Sequence, residues 1–135
     1  MSGSHDLVAT VRAVFAAISD GRYDEVADHM ADDLVFELPY GPSFLPKQFI
    51  GLATWNQMQL ATFGLFERFR ETLDAVYATA GQDTLVCEYH SDAIVKATGA
   101  EYHNQYIGVF RLRDGKIVFW REYHNPEAVT KALGG

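Results

Sequence analysis

The sequence has few of the features that mark secreted, membrane-spanning or nucleic-acid-binding proteins. Its single cysteine, Cys87, excludes an internal disulfide and a cysteine-based zinc site. No apolar run approaches the roughly 20 residues that cross a bilayer, and no basic segment before an apolar stretch marks a signal peptide. The net charge is −7 and Lys and Arg form no cluster, unlike a nucleic-acid-binding surface. We expect a cytoplasmic protein that binds neither membrane nor nucleic acid.

The composition is that of one ordinary globular domain. The chain has 135 residues, of which 48% are hydrophobic and 21% are charged. Aromatic residues make up 13%, and they supply large apolar surfaces that suit either a core or a binding pocket. We predict a single domain over residues 1–135.

Hydrophobic spacing predicts helices first and strands afterwards. Apolar residues recur at helical spacing over residues 1–20, 23–30 and 51–66, with Ser4 as the first N-cap. A short strand is predicted over 34–38. From Glu67 the period becomes two, which predicts four antiparallel strands ending at residues 79, 96, 113 and 124, with a hairpin turn at Asp114-Gly115. Pro126 is expected to open a short last helix. This order indicates an α+β fold whose strongly curved sheet encloses a pocket.

The segment 39–49 combines prolines with apolar residues. Its prolines forbid a regular ladder, while Tyr40 and Phe44 are unusual in a solvated loop. Two interpretations stay open: a lid or rim over a cavity, and a plug packed on the core.

Ionisable residues interrupt the apolar pattern of the strands. If the even-numbered positions of each long strand face the concavity, His90, Asp92, Asn104, Tyr106 and Glu122 converge on one patch there. The alternative places His90 and Asp92 in water, because the odd-numbered residues of their strand are the more apolar. Trp120 shares parity with Glu122, which favours the first interpretation. Glu37, just before the proline-rich segment, is a further candidate at the rim.

Two stretches resemble a known superfamily. They are Phe36-Glu37-Leu38-Pro39-Tyr40-Gly41-Pro42 and the segment from Tyr106 through Asp114-Gly115 to Asn125-Pro126. The chain resembles the nuclear transport factor 2-like fold of SnoaL-like polyketide cyclases, ketosteroid isomerases, limonene-epoxide hydrolases and phenazine-biosynthesis A/B proteins. The resemblance implies three N-terminal helices packed on a cone-shaped antiparallel sheet.

The individual families imply different site residues. The limonene-epoxide hydrolase pattern corresponds to His90, Asp92 and Glu122, although its N-terminal half falls on Val35 and Glu37 and is lost. Both acids of the ketosteroid isomerases are replaced, at Leu38 and Gly108. The phenazine-type pattern matches Glu122 on the last strand and pairs it with a pocket histidine, for which His90 is the candidate.

We predict acid/base chemistry on a small apolar cyclic or polyketide-like molecule, of the isomerase, cyclase or epoxide hydrolase type. The predicted catalytic residues are Glu122, Asp92 and His90, and no cofactor or metal is expected. The predicted substrate-binding residues are Glu37, Tyr40, Phe44, Trp55, Asn104, Tyr106, Trp120 and His124. A non-catalytic binding or dimerisation module stays open as the alternative. We also predict a homodimer, because the outer sheet face would otherwise expose Tyr89, Ile107 and Phe119.

Overall fold

A computed structural model describes the backbone of residues 4–134 and the side chains of residues 7–134. The helices are α1 (Ser4–Ser19), α2 (Tyr23–Ala27), α3 (Leu52–Phe63) and α4 (Pro126–Leu133). The strands are β1 (Met30–Glu37), β2 (Gln48–Ile50), β3 (Phe66–Ala78), β4 (Thr84–Val95), β5 (Glu101–Arg113) and β6 (Lys116–His124). The predicted helical residues 1–3 and the predicted cap side chain of Ser4 lie outside this description.

The six strands form one curved sheet in the order β2-β1-β6-β5-β4-β3. Neighbouring strands are antiparallel, except that β1 and β6 run parallel. The predicted turn between β5 and β6 is confirmed, since Asp114 and Gly115 both have positive φ, 52° and 77°, as a type I′ turn requires. The α+β fold with a curved sheet is therefore confirmed.

Helix α1 covers one face of the sheet through its apolar stripe. Val11, Val14, Phe15 and Ile18 are all buried, at the three- and four-residue spacing that the sequence predicted. The Phe15 ring lies 4.5 Å from the Tyr89 ring of β4. This face of the sheet is therefore the one that carries the core.

The predicted terminal helix is present as α4. Pro126 occupies its first turn, and the Asn125 side chain accepts a hydrogen bond from the Glu127 backbone N–H at 3.0 Å. Across residues 4–134, no helix has the length and apolar character needed to cross a membrane.

The N-terminal half differs from the prediction at two places. Helix α2 ends at Ala27, and β1 begins at Met30 rather than at Leu34. The end of the predicted loop forms β2, which pairs with β1 so that Phe49 lies opposite Phe36 with stacked rings 5.8 Å apart. Phe49 is only 2% exposed, so the edge strand β2 adds a buried ring to the core.

Candidate functional site

An apolar cavity lies between the covered face of the sheet, α3, α4 and the segment after β1. The cavity has a volume of about 120 Å³. Ten of the lining residues are aromatic, so the walls offer ring faces to whatever binds. Two carboxyl groups, those of Glu71 and Glu122, interrupt this apolar wall.

Glu122 reaches the cavity from β6. In the sheet it lies opposite Gly108, and Trp120 lies opposite Phe110 on the same face. The Tyr89 hydroxyl donates a hydrogen bond of 2.6 Å to the Glu122 carboxylate and accepts one of 3.1 Å from Trp120 Nε1. Burial raises the pKa of Glu122 to about 7, although the Tyr89 hydrogen bond opposes this rise. The carboxyl group therefore changes its charge near neutral pH.

Glu71 is the second carboxyl group of the cavity, and it was not among the predicted site residues. It is 8% exposed, and its backbone is fixed to α1 because Ser19 Oγ donates to its carbonyl (2.8 Å) and accepts from its N–H (2.9 Å). No group among residues 7–134 hydrogen-bonds its carboxylate. Burial, and then the nearby charge of Glu122, hold the Glu71 pKa well above its usual range. The two carboxyl groups therefore titrate as a pair.

A signal for Glu71 was present in the sequence. Glu71 has an odd number, as Phe69 and Leu73 do, and these apolar residues mark the face of the strand that packs on the core. In the sheet Glu71 lies opposite Ser91, and Leu73 lies opposite Tyr89, so Glu71 shares a face with the inner residues of β4.

His90 and Asp92 do not reach the cavity, and their predicted placement in the concavity is wrong. The register of β4 against β5 places Tyr89 opposite Tyr106 and Ser91 opposite Asn104. Odd-numbered residues of β4 therefore share a face with even-numbered residues of β5.

On the outer face these two residues form hydrogen bonds with other side chains. His90 Nδ1 lies 2.8 Å from an Asp74 carboxylate oxygen, and His103 Nδ1 lies 2.7 Å from an Asp92 carboxylate oxygen. The epoxide hydrolase pattern of His90, Asp92 and Glu122 is therefore not assembled around the cavity. The phenazine-type pairing of His90 with Glu122 fails for the same reason.

Glu37 and Tyr40 also lie away from the cavity, contrary to their predicted positions. Arg121 Nε donates a hydrogen bond of 2.7 Å to Glu37, and this contact holds the pKa of Glu37 below its usual range. Tyr40 is 60% exposed, with its ring 6.0 Å from that of Tyr123. The strand alternation explains Glu37, because its neighbours Phe36 and Leu38 both line the cavity.

The remaining predicted binding residues fall into two groups. Phe44, Trp55, Tyr106, Trp120 and His124 line the cavity, with Phe44 at its exposed rim. Asn104 is buried but does not line it.

The Asn104 side chain has a structural role in the sheet. Its Nδ2 donates to the Tyr102 hydroxyl at 2.8 Å and to the Asn125 carbonyl at 3.0 Å. The Tyr106 hydroxyl joins the same network through Ser91 Oγ at 2.8 Å and the Tyr102 hydroxyl at 3.2 Å. These hydrogen bonds hold the side chains of Tyr102 and Tyr106 in place in the cavity wall.

Two buried nitrogen atoms of cavity-lining residues have no hydrogen-bond partner among residues 7–134. They are Trp55 Nε1 and His124 Nε2. Burial, and then the positive charge of Lys47, lower the pKa of His124, so its ring is neutral at neutral pH. Within the same described residues, no group of three His, Cys, Asp or Glu side chains is arranged to hold a metal ion.

Comparison with models of protein families identifies the kind of domain. The model of the SnoaL-like domain matches residues 11–120. The chain belongs to the SnoaL-like domain family. The resemblance found in the sequence is therefore confirmed at the level of the family.

The curated relatives of this SnoaL-like domain are themselves uncharacterized. It is 36% identical to the protein YesE of Bacillus subtilis (strain 168), over 77% of this chain and 71% of that protein. It is also 36% identical to an uncharacterized PhzA/B-like protein of Pseudomonas aeruginosa, over 75% of this chain and 71% of that protein.

Solved structures show the same fold. An isomerase candidate from Bacillus subtilis has a TM-score of 0.89 and 30% identity, covering 100% of this chain and 97% of its own. The Δ5-3-ketosteroid isomerase of a Mycobacterium species has a TM-score of 0.79 at 20% identity, covering 91% and 95%. An epoxide hydrolase of the limonene-epoxide hydrolase type from Mycobacterium tuberculosis has a TM-score of 0.74 and 19% identity, covering 96% of this chain and 93% of its own.

Gly108 has no side chain, and this leaves room for the Tyr89–Glu122 hydrogen bond in this SnoaL-like domain. A Cβ atom at Gly108 would lie 2.7 Å from the Phe110 ring and 2.8 Å from the Tyr89 hydroxyl, and both rings are buried. We expect Gly108→Ala to lower the free energy of unfolding by about 1–3 kcal/mol, measured by urea denaturation. Gly81→Ala is the control, because its Cβ would meet nothing closer than 3.5 Å. Equal stability of the two variants would contradict the expectation.

The Tyr89 hydroxyl stabilises the charged form of Glu122. We expect Tyr89→Phe to raise the pKa of Glu122 by about 1–2 units, because a hydrogen bond to a charged group is worth about 1.5–3 kcal/mol. Carbon-13 NMR of labelled glutamate side chains measures this change. Tyr77→Phe is the control, since the Tyr77 hydroxyl bonds Glu88 on the outer face. A Glu122 pKa that stays the same or falls in Tyr89→Phe would show that the bond is absent in solution.

Proposed function

We propose that this SnoaL-like protein catalyses proton transfer in a small, largely apolar cyclic molecule, with Glu122 as the general base. The observation that carries the proposal is a carboxyl group in an aromatic-walled cavity whose pKa burial raises to about 7. A base with a pKa near the working pH combines a usable charged fraction with a strong affinity for the proton.

Glu71 supplies the acid of the pair. Burial and then the negative charge of Glu122 raise the pKa of Glu71, so Glu71 keeps its proton while Glu122 is ionised. Glu122 removes a proton from a carbon next to a carbonyl group, and the C–H electron pair forms the C=C bond of an enolate. The Glu71 O–H donates a hydrogen bond to the enolate oxygen. Protonated Glu122 then returns the proton to another carbon of the same conjugated system, which restores the carbonyl and regenerates both groups.

The cavity walls support this chemistry by excluding water and by holding the ring of a substrate. Trp55 Nε1 is an unused donor of the site, and neutral His124 Nε2 is a further unused polar atom. A molecule with an oxygen atom at one end of an apolar ring system fits such walls.

Exchange of hydrogen for deuterium tests the proposal without knowledge of the natural substrate. We expect the protein to convert 3-cyclohexen-1-one to its conjugated isomer in D₂O and to incorporate deuterium at C4, the carbon that Glu122 protonates after its own proton has exchanged with the solvent. Absorbance follows the isomerisation and mass spectrometry follows the exchange. A non-catalytic binding module would bind the ketone but leave both rates at the background level of buffer, and that result would overturn the proposal.

We also propose that two chains pair through the outer sheet face, on less apolar surface than the sequence predicted. Tyr89 is 1% exposed and faces the core, so its predicted place in the interface is wrong. Ile107 is 43% exposed on that face, while the guanidinium groups of Arg111 and Arg121 cover the Phe119 ring. Light scattering at micromolar concentration tests the pairing, and a monomeric mass would contradict it.

A further inference from the structure

The lining of the cavity is unbalanced in charge. Among the described residues that line it, Glu71 and Glu122 are acidic, and none is Lys or Arg. Among these described lining residues, His124 alone carries an ionisable nitrogen, and its lowered pKa keeps it neutral. The cavity can therefore hold up to two negative charges and has no positive side chain to balance them.

The walls around these acids are aromatic faces. Phe36 lies with its ring centroid 6.3 Å from that of Trp55 and 5.2 Å from that of Trp120, and the two tryptophan centroids are 6.1 Å apart. All three rings line the cavity. Ring faces attract cations through their quadrupole, and sets of such rings bind quaternary ammonium groups.

We propose that the cavity selects molecules that carry a tertiary or quaternary ammonium group on an apolar body, and that the Glu122 carboxylate selects for this charge. Glu71 is more than nine-tenths buried and lines the cavity, with a carboxyl group that has no hydrogen-bond partner among residues 7–134. The inference rests on the proposed function for the choice of cavity, and it adds the charge of the molecule that enters.

Binding of a cation should be coupled to loss of protons. Glu71 and Glu122 face each other, and the other groups that face them are the uncharged Ser19 of α1, Tyr89 of β4, and Tyr102 and Tyr106 of β5. The pKa values of the three tyrosines are raised, so these side chains stay neutral. A cation favours the ionised carboxylates and lowers their pKa, which releases protons. Affinity for the cation therefore increases from pH 5 to pH 8.

Three ligands of one shape and different charge separate charge from size. Choline is the cation, 3,3-dimethylbutan-1-ol the neutral molecule and 3,3-dimethylbutanoate the anion. Titration calorimetry at pH 8 should give a dissociation constant for choline about tenfold or more below that of the alcohol, because a desolvated cation–π contact is worth about 2 kcal/mol. The anion should bind more weakly than both. At pH 6.5, comparison of two buffers with different ionisation enthalpies should show proton release on choline binding.

Substitutions test which residue causes the preference for choline over the neutral alcohol. Glu122→Gln should reduce the advantage of choline over the alcohol by at least about threefold. Glu37→Gln, on the opposite side of the sheet, should keep the full advantage. Equal affinities for choline and the alcohol in the unmodified protein, tighter binding of the anion, or no choline binding would overturn the inference. Cation selectivity without isomerisation of the ketone would remove only the proposed function.

Discussion

Glu122→Gln lowers the rate of ketone isomerisation by about 10²–10⁴-fold, the range that a positioned general base contributes. Gln has the shape of Glu and can still accept the hydrogen bond from Tyr89, so the cavity keeps its walls. It cannot take a proton at neutral pH. The initial rates of the two proteins, followed by absorbance at pH 7.5, measure the loss.

A matched control separates the loss of the base from a general loss of charge. Glu37→Gln removes a carboxylate that pairs with Arg121 and does not line the cavity, so its rate should stay within twofold of the unmodified protein. A folded Glu122→Gln variant that keeps more than a tenth of the activity would exclude Glu122 as the base.

Glu122→Gln is more stable than the unmodified protein above pH 7, by about 3 kcal/mol. The native carboxyl group has a pKa of about 7, against 4.5 for an ordinary glutamate, and each pKa unit is worth about 1.4 kcal/mol. Between these two values the native state binds more protons than the unfolded state. The stability of the unmodified protein therefore falls as pH increases from 4.5 to 7, whereas Gln does not titrate.

Urea denaturation at pH 4.5, 6 and 8 tests this pH dependence. The two proteins should differ least at pH 4.5 and most at pH 8, and Glu71→Gln should behave in the same direction because its pKa is also raised. Glu37→Gln should show the opposite sign, since Arg121 lowers the pKa of Glu37 and this contribution is lost as pH falls. A stability difference for Glu122→Gln that does not change with pH would mean that Glu122 titrates normally.

The sequence was sufficient for the fold and for one side of the cavity. Alternation along β5 and β6 correctly placed Tyr106, Trp120 and Glu122 on the inner face. The two-residue turn by itself sets odd positions opposite even ones, and a β-bulge between Arg111 and Leu112 restores even opposite even along the rest of the hairpin. Each strand marks its inner face by its own buried aromatic residue, Phe110 on β5 and Trp120 on β6, so the assignment did not depend on predicting the bulge.

The other side of the cavity depends on a register that the sequence does not reveal. The connection from Val95 to Glu101 sets β4 against β5 so that odd residues meet even ones, which moves His90 and Asp92 outward. A shift of one residue exchanges the two faces of a strand. The same register brings Tyr89 inward, beside Glu122.

The predictions for two single carboxylates, Glu71 and Glu37, were reversed. Glu71 lines the cavity but was not predicted to, although its position in the strand alternation is that of the apolar residues. Glu37 lies next to the edge strand β2, whose Gln48 donates to it at 3.0 Å, and that pairing was not predicted. Buried acids are rare, so polarity alone favours the surface assignment even where strand parity indicates the core.

The most direct test of the account is a carbon-13 NMR titration of the Glu122 carboxyl group in the unmodified protein from pH 3 to pH 10. We expect a main transition near pH 7, followed at higher pH by a smaller response to ionisation of Glu71. A single transition near pH 4.5 would show that Glu122 is solvated, and would contradict both the acid/base pair and the function proposed from it.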